Sequence, residues 1–336
     1  MESTGMPEAS GRDYGTGLVL FGLFELLVGL LFLARAVLFA LLSIPGMAPA
    51  VGRFGGDVPL TAILALAPAA FFVALGFGSI AARRWARSLS LAFSLVWLAL
   101  GILCLAFGLV WVPKIIAAIH PVAGEAARSA RQTAGALARV GAIAATVAFV
   151  LPAASAIFYG NAGVARECER RDPQARWTDR VPTGVLALIV VLGLAALLAF
   201  QIGFSTARQR LYYGHALGIA SRAGWAALGV AEIAVAWGLA RMRRWAWPAA
   251  LGVIVVRSAA SLVVTRRLAE APDAMRIFAP GRTAAQSQAL LEAFRVLRPF
   301  DALTLFFAVI SAAALALAIG VGPAFRRRAP SEPARD

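Results

Sequence analysis

Charge is scarce in this sequence, and lysine is almost missing from it. Only 15% of the 336 residues are charged, 60% are hydrophobic, and the mean hydropathy is +0.78. A water-soluble domain of this length needs a far more polar surface, so the composition excludes the soluble globular class and indicates an integral membrane protein. Lys114 is the single lysine beside many arginines, alanines and glycines. That usage is typical of a GC-rich bacterial gene and predicts the bacterial inner membrane.

The sequence is also poor in the residues that most often carry metal and redox chemistry. Cys104 lies in an apolar run and Cys168 in a charged loop, which leaves neither a disulfide framework nor a metal-binding pair. His120 and His215 fall in predicted outer loops, and two loop histidines are poor candidates for a haem or metal site. The signatures of metalloproteases, serine hydrolases and P-loop proteins do not occur. We therefore expect no cofactor, no metal and no catalytic residue.

One short sequence occurs twice at a long offset. The pentapeptide Ala-Arg-Arg-Trp-Ala at 82–86 returns at 242–246 as Met-Arg-Arg-Trp-Ala, between apolar runs in both places. Because this offset is close to half the length of the chain, it predicts two copies of one membrane unit.

The apolar runs extend this repeat to the whole chain. About 20 apolar residues are needed to cross a bilayer, and eight runs qualify. They lie at 17–44, 58–80, 89–112, 140–160, 183–204, 218–240, 247–265 and 300–322. The same offset carries the first four runs onto the last four to within a few positions. The sequence thus predicts an all-α integral membrane protein with eight transmembrane helices, arranged as two four-helix repeats at 17–160 and 183–322.

Arginine positions predict the orientation of these spans. The turns near 83–87 and 241–244, the segment 161–182 and the tail 323–336 carry the arginines and alternate along the chain, which places them all in the cytoplasm. Both termini, including the tail 1–16, are then cytoplasmic, and the two repeats run in the same direction. A signal peptide cleaved near 48–50 is the competing interpretation. The length of the first run and its charged Glu25 and Arg35 favour a retained span.

The formal net charge of +15 raises the question of nucleic acid. Because the arginines cluster at the ends of apolar runs, we expect them to contact anionic lipid headgroups, and we expect no nucleic-acid partner.

Ionisable residues inside predicted spans are the first candidates for function, because burying charge in hydrocarbon is costly. Helical rise puts Arg257 at a depth where it can pair with Glu25 or Glu232. Such a group either lines a ligand or ion cavity between the repeats, or is a structural ion pair that fixes helix register. Pro68 and Pro152 interrupt the second and fourth spans, whose counterparts in the other repeat lack a proline there. We add both to the candidates, because prolines kink membrane helices and often border binding sites. The cavity candidates are Glu25, Arg222, Glu232, Arg257, Pro68 and Pro152.

The segment between the repeats mixes both charge signs densely. This pattern favours an ordered ion-pair network or a docking surface for a protein partner over a flexible linker. The docking candidates are Asp172, Arg176, Trp177, Asp179 and Arg180.

The chain resembles a group of uncharacterised multi-span bacterial membrane proteins in two sequence features. These features are the Arg-Arg-Trp-Ala turns and the Arg-Trp-Thr-Asp-Arg sequence at 176–180. That group has no assigned activity, so the resemblance implies none. Where the group has a cysteine after the last arginine, this chain has Val181, which argues against a thiol-based role.

Three functional classes stay open at this stage. A small-solute or ion transporter would use the inter-repeat cavity. A scaffold or accessory subunit of a membrane complex would present the segment 161–182. A membrane-embedded enzyme ranks third, because no nucleophile, base and metal occur together.

Overall fold

The structure, a computed structural model, describes residues 14–42, 58–119, 141, 147–204, 218–270 and 299–326. All regular secondary structure in these residues is helical. In chain order the helices are α1 (Gly15–Leu42), α2 (Val58–Ile80), α3 (Arg84–Ile119), α4 (Val147–Gly160), α5 (Ala162–Arg171), α6 (Trp177–Arg180), α7 (Thr183–Phe204), α8 (Gly218–Ala240), α9 (Ala246–Glu270) and α10 (Pro299–Arg326). His120 and His215 lie outside the described residues.

Seven of these helices are long and apolar enough to cross a bilayer, namely α1, α2, α3, α7, α8, α9 and α10. An eighth candidate combines α4 with α5, which meet at a 63° bend. The chain is therefore an all-helical protein compatible with a multi-pass membrane arrangement. The predicted runs at 17–44, 58–80, 183–204 and 218–240 agree with α1, α2, α7 and α8 to within two residues at each end.

Other helices extend beyond their apolar runs. The 36 residues of α3 begin five residues before the predicted run and end seven after it, and α10 continues four residues past its run. At 1.5 Å per residue α3 is about 54 Å long, which exceeds the roughly 30 Å of bilayer hydrocarbon. Once a helix is nucleated, each added residue gains a hydrogen bond, so helices continue past the apolar stretch.

Large apolar side chains are exposed along many of these helices. Leu20 on α1 is 63% exposed and Ile157 on α4 is 76% exposed. In water such surfaces drive association, whereas in a bilayer they contact lipid tails. The exposed apolar surface thus indicates contact with the lipid bilayer.

Helices α1 and α2 pack against each other closely through glycines. A methyl group built on Gly76 would lie 2.7 Å from the Gly22 carbonyl oxygen, and one built on Gly29 would lie 2.9 Å from the Val73 backbone nitrogen. Small residues allow this close backbone approach, which is how membrane helices gain packing energy without a hydrophobic driving force.

The second set of helices shares an apolar core with α3. Helices α7, α8, α9 and α10 supply most of its buried side chains, including Val185, Leu239 and Ala250. Ala92 of α3 is fully buried in the same cluster, with Leu89 packed against it. Apolar side chains therefore fill the contact between α3 and the α7–α10 group.

The two Arg-Arg-Trp-Ala turns have the same backbone geometry. Ala82 and Met242 are the two described non-glycine residues with positive φ, at 51° and 52°. In the first turn the Arg83 N–H donates to the Gly78 carbonyl at 2.8 Å, and in the second the Arg243 N–H donates to the Gly238 carbonyl at 2.9 Å.

A second bond completes the motif in each turn. The Ala82 N–H donates to the Ser79 carbonyl, and the Met242 N–H to the Leu239 carbonyl, both at 2.9 Å. This pair of bonds is the Schellman motif, in which a left-handed residue ends the helix. Each indole of the turn then covers a glycine of the preceding helix, Gly78 or Gly238. The repeated sequence thus encodes a repeated helix-ending turn.

Candidate functional site

Glu25 is buried at the junction of four helices and is surrounded by hydroxyl groups. Its Oε2 accepts a hydrogen bond from Ser79 Oγ at 2.7 Å, and its Oε1 accepts from Ser90 Oγ at 2.6 Å and from Tyr159 Oη at 3.1 Å. Tyr159 Oη and Ser79 Oγ lie 2.9 Å apart. No described arginine or lysine forms an ion pair with Glu25. The carboxyl group is therefore stabilised by hydroxyl hydrogen bonds.

The partners of Glu25 were not among the predicted site residues. Serines in a membrane helix are common packing residues, so sequence alone does not single them out. The offset between the two turns gives one indication of their importance, because it pairs Ser79 and Ser90 with the apolar residues Leu239 and Ala250. Leu239 and Ala250 are fully buried in an apolar core. A buried polar cluster in one set of helices thus corresponds to an apolar core in the other.

Glu232 forms the second buried acidic site. Its side chain is fully buried on α8, and Arg257 Nη1 of α9 donates to Glu232 Oε1 at 2.6 Å. Trp225 contributes a cation–π contact, with its ring 5.9 Å from the guanidinium carbon of Arg257. Glu232 Oε2 makes no hydrogen bond with the described part of the chain. Of the two glutamates that sequence offered as partners of Arg257, the structure selects Glu232.

The remaining cavity candidates lie apart from these two clusters. Arg222 lies near the start of α8 and is exposed. Pro68 lies inside α2 and Pro152 is buried inside α4, and both helices continue through them. The sharp bend of this region occurs at Asn161, between α4 and α5. The hydrogen bonds and ion pairs of Glu25 and of Glu232 involve different helices, so the structure does not bring the six candidates together.

After α4 the chain turns into a short charged helix. Asn161 caps α5, because its Oδ1 accepts a hydrogen bond from the Gly163 N–H at 2.7 Å. Val164 and Cys168 are buried beneath α5, while its other face carries charged side chains. Helix α5 is therefore amphipathic, a pattern typical of helices that lie along a membrane surface. We call the side of the bundle with α5, α6 and the two turns the arginine-rich end.

Ion pairs fasten the segment 161–182 to the first turn. The Arg84 side chain pairs with Asp179 at 3.4 Å and with Glu169 at 3.9 Å. The Arg83 side chain pairs with Asp172 at 3.6 Å, and Arg176 pairs with the other oxygen of Asp172 at 3.7 Å. The segment is therefore an ordered part of the structure, one of the two outcomes that its charge pattern predicted.

The five docking candidates have two different roles in this network. Asp172 is buried between two arginines, and the Asp179 side chain accepts the Arg176 backbone N–H at 2.8 Å, which caps α6. Both carboxylates are thus used within the protein. Trp177 is 47% exposed, and Arg176 and Arg180 are exposed beside it. The exposed surface of this part of the segment therefore consists of the indole and the arginine side chains.

A cleft of about 270 Å³ opens beside Trp177. Trp85 and Leu89 from the start of α3 form one wall, and Arg176, Trp177 and Thr178 form the other. Thr178 is only 2% exposed, and its Oγ1 makes no hydrogen bond with the described part of the chain. The cleft combines two indoles and a guanidinium.

Two groups of α5 have shifted acidity. Burial acts to raise the pKa of Glu167, but hydrogen bonds from Arg171 and Arg170 outweigh it and hold that pKa below its usual value. Burial raises the pKa of the Cys168 thiol to about 11, with the Glu167 and Asp172 charges adding to the effect and those of Arg87 and Arg171 opposing it. Cys168 is therefore a neutral, unreactive thiol at physiological pH.

Comparisons with known proteins add no identity to this geometry. No known protein family, curated protein or solved structure matches the chain. Within the described residues, no group of three His, Cys, Asp or Glu side chains is placed to bind a metal ion. The functional argument therefore depends on the contacts above.

Proposed function

We propose that the chain is an eight-span protein of the bacterial inner membrane, made of two parallel-oriented four-helix repeats. The matched Schellman turns, nearly half a chain apart, support the repeat. The arginine-rich end supports a cytoplasmic placement of both termini and of the segment 161–182. In this placement the arginines contact anionic headgroups of the inner leaflet. We also propose that the chain is related to the uncharacterised bacterial membrane proteins whose turns it resembles.

We infer that this protein is a non-catalytic scaffold or accessory subunit that presents the segment 161–182 to a protein partner. One observation carries the inference, namely that ion pairs hold α5 and α6 against α3 while leaving Trp177 47% exposed. Exposed tryptophans on rigid supports are frequent energetic centres of interfaces. A linker that only joined two repeats would not need such fixation.

Site-specific photocrosslinking tests the scaffold function. A photoreactive amino acid replaces Trp177, and in a matched control it replaces Trp245, which is 49% exposed in the second turn. We expect a discrete protein adduct from position 177 and none from position 245. Arg84→Gln, which removes the ion pairs with Glu169 and Asp179, should weaken the adduct at 177. Identical adduct patterns from both positions would contradict the proposal.

Ion or proton transport is a second candidate, favoured by one observation. Glu25 is a buried carboxyl group held by hydroxyls, and buried carboxyl groups in membrane helices often mark ion or proton pathways. The ion pair of Glu232 and Arg257 supports this class less, because its charges already neutralise each other. The transport site would then lie within the first repeat.

Flux measurements in proteoliposomes test the transport function. Purified protein is reconstituted, and proton and sodium entry are followed under an imposed gradient. Transport requires flux above that of empty vesicles, with loss in Glu25→Gln and retention in Ser258→Ala, a serine of α9 whose hydroxyl donates to the Ile254 carbonyl of its own helix. Flux equal to that of empty vesicles would remove this candidate.

A further inference from the structure

We propose that the cleft between Trp85 and Trp177 is a binding site for one anionic phosphate group, supplied by a phospholipid headgroup of the surrounding leaflet. The proposal uses the membrane placement given above, but it does not require a protein partner. It goes beyond general attraction between arginines and lipid, because it names one site with defined walls.

The polar wall of the cleft has the donors that a phosphate needs. The Arg176 guanidinium presents several N–H groups, and its carboxylate contact with Asp172 is long at 3.7 Å. Guanidinium groups bind phosphate oxygens in a bidentate manner. Asp172 also pairs with Arg83, at 3.6 Å through its other oxygen, so Arg176 is not its sole counter-charge. Arg176 is therefore able to exchange partners.

The local charge also favours an anion. The first turn and the segment 161–182 together contain eight arginines and four carboxylates. Four positive charges thus remain in excess around the cleft. Such a field attracts anionic lipids to a membrane surface.

The apolar wall selects a lipid over free phosphate. Trp85 and Leu89 begin α3, and Trp177 lies close to the start of α7, so the cleft is at the level where helices leave the hydrocarbon. Tryptophan is enriched at this level because its ring is amphipathic. The indoles and Leu89 would pack on the glycerol and the first acyl carbons. A volume of about 270 Å³ suits a headgroup more than a complete small-molecule ligand.

Native mass spectrometry of the purified full chain tests the site. The protein is taken from phosphatidylcholine nanodiscs that contain phosphatidylglycerol, and retained phosphatidylglycerol is counted. We expect one molecule retained by the wild type and about tenfold weaker retention by Arg176→Gln and by Trp177→Ala, which change the polar and the apolar lining of the cleft. Arg170→Gln is the matched control, because it removes the same charge from a side chain that is 74% exposed outside the cleft. It should retain lipid as the wild type does.

A second arm separates the two sources of phosphate. Titration of the protein in neutral detergent with inorganic phosphate or glycerol 3-phosphate should show no saturable binding if the lipid is the ligand. Saturable binding that both cleft variants lose would assign the same site to soluble phosphate. Equal retention by wild type, Arg176→Gln and Trp177→Ala in both arms would overturn the proposal. Because no partner is present, this failure would leave the crosslink from position 177 unaffected.

Discussion

Glu25 and Glu232 are both buried in apolar helices, but they have different partners. Hydroxyls surround Glu25, whereas Arg257 neutralises Glu232. The offset between the two turns pairs Glu232 and Arg257 with Phe72 and Trp97, whose rings both contact Phe93. An aromatic cluster in one set of helices thus corresponds to an ion pair in the other, which favours a structural role for that pair.

Removal of one member of this pair tests its role. Arg257→Leu should lower the free energy of unfolding by about 3 kcal/mol, because it leaves Glu232 buried without a counter-charge. The double variant Glu232→Leu, Arg257→Leu should recover most of the loss. Thermal unfolding in detergent measures both. If a change at Glu25 instead of Glu232 restored stability, the assigned pairing would be incorrect.

Cys168 provides a test of packing beneath α5. A pKa near 11, against an ordinary value near 9, leaves about 100-fold less thiolate at pH 8. In a Cys104→Ala background we expect correspondingly slow alkylation, compared with a cysteine introduced by Gln174→Cys in the exposed part of the segment. The neutral thiol is favoured in the folded state, so its stabilisation is complete below about pH 9 and is lost as the pH rises through about 11. Equal alkylation rates would show that Cys168 is not buried.

At the residue scale the sequence predicted which ionisable residues lie within the apolar helices better than it predicted their partners. Depth along a helix follows from residue number, so Arg257 could be assigned to Glu25 or Glu232. The choice between them depends on a side-chain contact across 25 residues, and the hydroxyl partners of Glu25 depend on contacts across 54 to 134 residues. No local spacing encodes such contacts.

At the element scale the close approach of α1 and α2 depends on glycine. Gly76→Ala should lower the free energy of unfolding by about 1–3 kcal/mol, because its methyl group would meet the Gly22 carbonyl and Leu26. Gly252→Ala is the control, since a methyl group there meets nothing within 4 Å. Both variants gain helix propensity, so the difference between their unfolding transitions reports the steric effect. Equal stabilities would place α1 and α2 further apart.

The Schellman turns allow a stabilising prediction. Ala82 and Met242 adopt a left-handed conformation, which costs a non-glycine residue about 1–2 kcal/mol. Ala82→Gly relieves this cost and removes only one buried methyl group, so it should raise the free energy of unfolding, by at most about 1 kcal/mol. Met242→Gly should gain less, because the Met242 side chain also packs against the apolar core of α7–α10. Thermal unfolding of the two variants checks the order, and a loss of stability in Ala82→Gly would contradict it.

Element boundaries were predictable where an apolar run ends in a breaker or a charge. The bounds of α2, α7 and α8 agree with their runs, whereas α3 extends into charged sequence at its start. Pro68 and Pro152 lie within α2 and α4, and the 63° bend of this region lies at Asn161. A side-chain cap and a change from apolar to charged sequence determine that bend.

At the scale of the whole molecule the orientation of the spans is open to direct measurement. A reporter that works only in the cytoplasm should be active when it is fused after Arg171, Ala240 or Arg326. A reporter that works only outside the cytoplasm should be active when it is fused after Leu42 or Phe204. Arginines at or beside the first three positions are the physical reason. Opposite locations for Arg171 and Arg326 would exclude parallel repeats.

The Schellman turns also have a consequence for biosynthesis. The backbone hydrogen bonds that close the second turn join residues between Trp237 and Ala249, so its backbone geometry is local. We expect α8 and α9 to enter the bilayer together as a preformed helical hairpin, with the arginines of the turn left on the side of the ribosome. The same holds for α2 and α3. Two early hairpins would then guide the insertion of the remaining spans.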